Sequence, residues 1–302
     1  MRLIARPPGY AAALLLAGTA ALAAPAAAQA AAGPPGFALV PCSGTALATA
    51  IQNANTAGTA ILRLAPRCDY ALTTAAAPGD GLSITGNLTI AGGPGTSISR
   101  STTSGLFRIL HVASGAKLTL TSVTVTNGRS LSTSPFGGGI RDEGTLVLRN
   151  VRLTGNTSTF GGGLFVDPSG HATVSNSRVD DNNAVGGEGG GILNQGSLVV
   201  AGSTLAGNAS RQGGGVFTEA GATTRISQTA VTHNLATNLG GGFFNLGTTV
   251  LTGDRVVANQ ATSGGGGIFN FNNHTVTLRL TLVALNTPDN CNPRGTIAGC
   301  LN

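Results

Sequence analysis

The stretch from Asn182 to Gly215, NNAVGGEGGGILNQGSLVVAGSTLAGNASRQGGG, decides how this chain is read. Asn182 and Asn208 lie 26 residues apart, and each precedes a run of three glycines, Gly189 to Gly191 and Gly213 to Gly215. Outward along the chain the same asparagine returns at Asn156, Asn234, Asn259 and Asn286, and further glycine clusters stand at 137–139, 161–163, 240–242 and 264–267. A fixed period with glycine punctuation specifies a solenoid, in which each coil buries its apolar face only by stacking on its neighbours.

Aligning the coils on the asparagine shows what each position does. Eight residues back stand Leu148, Val174, Val200, Ile226, Leu251 and Leu278; three residues back stand Leu153, Val179, Leu205, Val231, Val256 and Val283. Both columns are apolar throughout. Between them, nine residues back, Val147, Thr173, Val199, Arg225, Val250 and Thr277 form a mixed column that tolerates a cation. Alternation of period two marks strands with one face inward. A third strand follows each glycine cluster, opening on Ile140, Leu164, Ile192, Val216, Phe243 and Ile268. The pattern predicts an all-β chain: a right-handed parallel β-helix of about 26 residues per coil, three strands per coil, with coils stacked at ~4.8 Å. In this reading the asparagines take left-handed turns and form a ladder, each amide donating to one rung and accepting from the other. The glycine triplets allow positive φ and close backbone approach at another corner.

The chain opens with Arg2 and Arg6, an apolar run around Ala11 to Ala24, and Ala28-Gln29-Ala30. That order is expected of a secretory signal over residues 1–30, with the mature, secreted chain starting near Ala31. No later segment is long and apolar enough to read as a membrane span. Four cysteines suit an oxidising compartment. Three pairings are possible; proximity favours Cys42 with Cys68 and Cys291 with Cys300, one pair at each end of the solenoid. Residues 31–79 are expected to form an N-terminal cap, with a short amphipathic helix over 45–55 capped by Thr45 and a strand from Ile61 to Leu64. Residues 80–287 form the β-helix, with degenerate early coils to 128, and 288–302 the C-terminal cap. Only 9% of residues are charged, and the net charge of +6 falls to about +4 without Arg2 and Arg6. With one lysine, Lys117, and no basic run, the composition disfavours nucleic-acid binding.

The recurring G-G-G-[ILVF]-x-N pattern at Gly189 to Asn194, Gly240 to Asn245 and Gly265 to Asn270 is similar to that of bacterial secreted β-helix proteins of the pectin-lyase-like superfamily. Its repeats resemble those of polymorphic outer-membrane proteins. The resemblance covers roughly residues 80 to 290. It implies a β-helix and an exterior location, and little about activity, since that superfamily holds lyases, hydrolases, epimerases and adhesins.

Chemistry is sparse along the chain. The densest acidic stretch is Asp180-Asp181 with Glu188 in the following loop, weak candidates for an acid/base pair or a calcium site. The bland alternative is a solvated turn. His111, His171, His233 and His274 occupy unrelated columns, and no cysteine and histidine spacing suggests a metal site or a bound cofactor. Two columns are candidate binding surfaces. After the glycine clusters Phe165, Phe217, Phe244 and Phe269 recur beside Arg141 and Leu193, and alternation points them outward, either as an exposed stripe or as a ladder packed under a loop. Arg152 and Arg178 fall on adjacent rungs, where like charges repel unless an anion lies between them. These features favour a non-catalytic, adhesin-like surface scaffold at the cell envelope or matrix that contacts a polysaccharide or another cell-surface component. The alternative is a polysaccharide lyase or glycoside hydrolase. Nothing in the residues sets the oligomeric state.

Overall fold

In the computed structural model, which describes residues 37–131 and 134–301, the chain is a parallel β-solenoid of about ten turns. The segment 1–30, expected to be an export signal, lies outside the described residues. One coil shows the plan. A first-sheet strand, Thr145–Arg149, turns into a second-sheet strand, Arg152–Thr154. A third-sheet strand, Thr157–Phe160, leads through the glycines to a fourth-sheet strand, Leu164–Val166. The four sheets hold ten, nine, six and nine strands respectively.

The three expected strands per coil are therefore joined by a short fourth one between the ladder asparagine and the glycines. Its inward column is Ser158, Ala184, Ser210, Ala236 and Ala261, all buried. Small residues leave no β-branched signature in a sequence, but they let this corner lie close to the axis. The other inward columns are mostly Leu, Ile, Val and Phe, with polar breaks such as Asn194, Thr224 and Asn245, and the apolar residues form one continuous core along the stack.

The asparagine ladder runs as the spacing indicates. Asn182 Nδ2 donates to Asn208 Oδ1 at 3.0 Å, Asn208 to Asn234 at 2.9 Å, Asn234 to Asn259 at 2.9 Å, and Asn259 to Asn286 at 3.0 Å. Asn156 joins it by donating to Asn182 Oδ1 at 3.0 Å. Each side-chain oxygen also accepts a backbone N–H, as Asn234 Oδ1 does from Asn208 at 3.0 Å. One expectation is corrected: the left-handed conformation falls on the residue before each asparagine. Gly155, Asp181, Gly207, His233, Ala258 and Leu285 have φ between 55° and 67°, so the asparagine itself is free to aim its amide along the stack. The glycine triplets lie against this ladder. A Cβ on Gly191 would lie 2.6 Å from the Gly215 carbonyl and 3.0 Å from Asn208 Nδ2.

A second ladder, of hydroxyls, closes the turn between the first and second sheets. Val151 N–H donates to Ser177 Oγ, Ser177 to Ser203, Ser203 to Thr229, and Thr229 to Asp254 Oδ1, at 2.8–3.2 Å. Burial raises the Asp254 carboxyl, and the backbone donors of Thr229 and Thr252 offset part of that.

Both ends are covered, but unequally. A helix, Gly44–Ala57, buries Leu47, Ile51 and Ala54 over the first coils. Its N-terminal cap is Ser43 rather than Thr45, with the Ser43 hydroxyl accepting from Ala46 N–H at 3.4 Å. Cys42 pairs with Cys68 and Cys291 with Cys300, with Cα separations of 5.7 and 6.3 Å. The tail adds Cys291–Asn292 to the fourth sheet, and Asn290 Oδ1 accepts from Asn286 Nδ2 at 3.0 Å, which ends the ladder.

Candidate functional site

Arg152 and Arg178 open neighbouring second-sheet strands in register, and each side chain is about half exposed (49% and 52%). The anion their proximity demands is supplied internally. Asp180, whose side chain is 0% exposed, accepts from Arg152 Nη2 at 2.6 Å and lies 3.2 Å from Arg178 Nε. Burial alone would raise the Asp180 carboxyl, but the two guanidinium hydrogen bonds outweigh it and hold the carboxyl below its usual range. Arg152 also feels the charge of Asp181, exposed at the adjoining corner, so the two cations share one buried and one exposed carboxylate.

An open groove of about 750 Å³ passes these arginines. It is lined by Gly92 to Thr96, Ser122 to Thr124, Asn150 to Arg152, Asn176 to Arg178, Gly202 and Thr204, and so crosses five successive coils. At the strand spacing that is about 19 Å of stack. Ser122, Asn150, Asn176 and Gly202 line it from the left-handed corner between the first and second sheets, with φ of 48–57°.

The Asp180, Asp181 and Glu188 grouping does not assemble. Asp180 is committed to the two arginines. Asp181 sits exposed at its corner, and Glu188 belongs to the third sheet, 3.7 Å from Arg211. Burial and the nearby charge of Glu219 raise the Glu188 carboxyl, and Arg211 partly offsets them.

The phenylalanine column points away from the core, as alternation requires, but it is no exposed stripe. Phe165, Phe217 and Phe244 are only 2–4% exposed, and Phe269 is partly buried against them. The first glycine of each triplet, at φ 62–70°, folds the third sheet back over the fourth and closes a crease around the rings. Phe136, Phe160, Leu239 and Leu246 complete a second apolar cluster there. Phe217 stacks on Phe244 with centroids 4.9 Å apart, and Phe244 on Phe269 at 5.1 Å.

The same outward column becomes charged towards the N terminus, where His111, Arg141 and Phe165 are consecutive in register. Arg108 meets Asp80 at 2.5 Å, and Asp80 bonds His111 Nδ1 at 2.9 Å. Arg141 Nη2 bridges Glu143 at 2.6 Å and Asp167 at 3.1 Å. Glu143 lies 3.3 Å from His111 Nε2, outside hydrogen-bond geometry, and Arg141 lies over the Phe136 ring. Arg108 is fully buried and also donates to Ser134 and to the Phe136 carbonyl. Burial lowers its affinity for a proton, and Asp80 restores part of it. Asp80 in turn is held below the usual carboxylate range: burial raises it, and the His111 hydrogen bond and the Arg108 charge outweigh that.

Counting by 26 misses this cluster, because the coil from Leu110 to Ile140 is 30 residues long and takes His111 out of step. Beneath it, facing the core, lies Asp142, 0% exposed. Its Oδ1 accepts from Gly144 N–H at 3.1 Å, and its Oδ2 has no partner among the described residues. Burial pushes its carboxyl up to about 6; the Gly144 N–H opposes the rise, and the charges of Asp167 and Glu143 add to it. Its sequence signal is that Gly137 to Asp142 reads GGGIRD, with Asp where three later repeats have Asn194, Asn245 and Asn270 and two have Val166 and Thr218.

Compared with protein-family models, curated protein sequences and solved structures, the chain finds no match. Function is therefore argued from the sites themselves.

Proposed function

We propose that this protein is an exported, non-catalytic β-helical scaffold, akin to the pectin-lyase-like superfamily, that binds an acidic polysaccharide in the groove past Arg152 and Arg178. The observation that carries this reading is the pair of half-exposed guanidiniums sharing one buried carboxylate in an open groove that crosses five coils. Such a groove suits a long, flexible chain of carboxylates, because each arginine keeps outward donors for a ligand anion after bonding Asp180. The two disulfides agree with an oxidising exterior. The test is co-sedimentation of the mature chain with acidic and neutral polysaccharides across a salt series. Acidic chains are expected to be retained, salt is expected to weaken them, and Arg152→Ala/Arg178→Ala is expected to abolish retention. Equal retention of neutral chains, or unchanged binding by the double variant, would remove the groove from the account.

A second reading, hydrolase or lyase action, draws on the cluster of Asp80, His111, Arg141, Glu143 and Asp167. It would place proton transfer on His111 and Glu143, since both arginines are committed to carboxylates. Product release that is lost in Glu143→Gln would favour it.

A further inference from the structure

The C-terminal end of the stack differs from the other in chemistry as well as in closure. Tail residues cover the fourth sheet and the ladder, and Ile297 is buried against the core, but among the described residues the first sheet ends at Thr275–Arg279 and the second at Leu282–Ala284, each with a neighbour on one side only. Val276 and Leu278, which extend fully buried inward columns, are only partly buried there.

The corners of this last coil are the sharper clue. In the preceding coils the first left-handed corner holds Ser122, Asn150, Asn176, Gly202, Gln228 and Gly253; in the last it holds Leu280 at φ 49°, 96% exposed. The second corner holds Asn127, Gly155, Asp181, Gly207, His233 and Ala258, then Leu285 at φ 58°, 82% exposed. Leucine is a poor occupant of the left-handed region. Two of them, with half-exposed Leu282 beside an unpaired sheet edge, make an apolar end face where every other coil has polar or small corners.

We propose that this face joins a second copy of the chain, tail to tail, by antiparallel pairing of Thr275–Arg279 with its counterpart about a two-fold axis at Thr277. The strand is self-complementary in that register. Thr277 faces Thr277, inward Val276 faces inward Leu278, and Thr275 faces Arg279, so the one cation of each strand never opposes its like. Pairing about a two-fold axis is isologous and so closes at two copies, and the helix Gly44–Ala57 lies over the core at the other end.

Sedimentation velocity on the mature, oxidised chain tests this. The wild-type chain is expected to sediment at twice the monomer mass. Thr277→Arg is expected to be monomeric with an unchanged far-ultraviolet spectrum, since Arg225 already stands in the same outer column and like charges would meet on the axis. Thr277→Cys is expected to give a reducible covalent dimer on oxidation, whereas Thr173→Cys, in the same column mid-stack, should not. A monomeric wild type, open-ended growth, or a Thr277→Arg variant that stays dimeric would each overturn the proposal.

Discussion

Replacing Asp142 with asparagine should stabilise the protein, and the gain should grow with pH. The buried carboxyl is pushed up to about 6 from an ordinary 3.8, so ionising it in the folded state is uphill. A raised acid is at no disadvantage below its unfolded value, where both states are protonated. The penalty accrues as pH rises from about 4 and is complete above about 6. A rise of that size is worth about 3 kcal/mol at neutral pH. Asparagine avoids this penalty and restores a donor. Asn194, two coils on in the same column, donates through Nδ2 to the Thr223 carbonyl at 3.0 Å, and the equivalent acceptor for residue 142 is the His171 carbonyl. Urea unfolding of wild type and Asp142→Asn should be compared from pH 4 to pH 8. Near pH 4 the two should differ by a few tenths of a kcal/mol, and at pH 8 the variant should lead by about 3 kcal/mol. A gap that does not change with pH would refute the reasoning.

Other substitutions probe the remaining columns by the same unfolding assay. Asn208→Ala interrupts the ladder at mid-stack and should cost about 1–3 kcal/mol, because Asn182 loses the Oδ1 acceptor of both its backbone N–H and its amide. Phe217→Ala empties part of the crease and should cost about 3–5 kcal/mol, against a fraction of that for an exposed ring. Asp180→Asn should destabilise the protein at neutral pH by removing the buried counterion that Arg152 and Arg178 share. Because the folded carboxyl lies below its ordinary range, its stabilising contribution is present above the unfolded value and lost in stronger acid, so the gap to wild type should close there. An Asp180→Asn variant equal to wild type at pH 7 would remove its role as counterion.

Much of the fold is legible in the residues because stacking multiplies each signal. Columns such as Leu153 to Val283 repeat the same apolar choice coil after coil, and the Asn156 to Asn286 ladder declares the period. The third sheet escapes such reading because its inward residues, Ser158 to Ala261, are small and carry no strand preference. The direction of the phenylalanines follows from alternation, but their burial does not: it depends on the glycine corners folding one sheet over another, which is tertiary geometry. Arg152 and Arg178 are correctly placed on adjacent rungs, and Asp180 between them becomes visible only when the side chains are laid down. The His111 cluster is hidden by one long coil that breaks the count.

The central claim, binding without chemistry, is tested most directly by incubating residues 31–302 with acidic polysaccharides, with and without calcium. Retention on the polymer is followed alongside release of unsaturated products and reducing ends. The account predicts salt-sensitive retention that needs Arg152 and Arg178, with no product under any condition. Steady release of shortened chains, abolished by Glu143→Gln and untouched by Arg152→Ala/Arg178→Ala, would contradict it and move the function to the charged cluster.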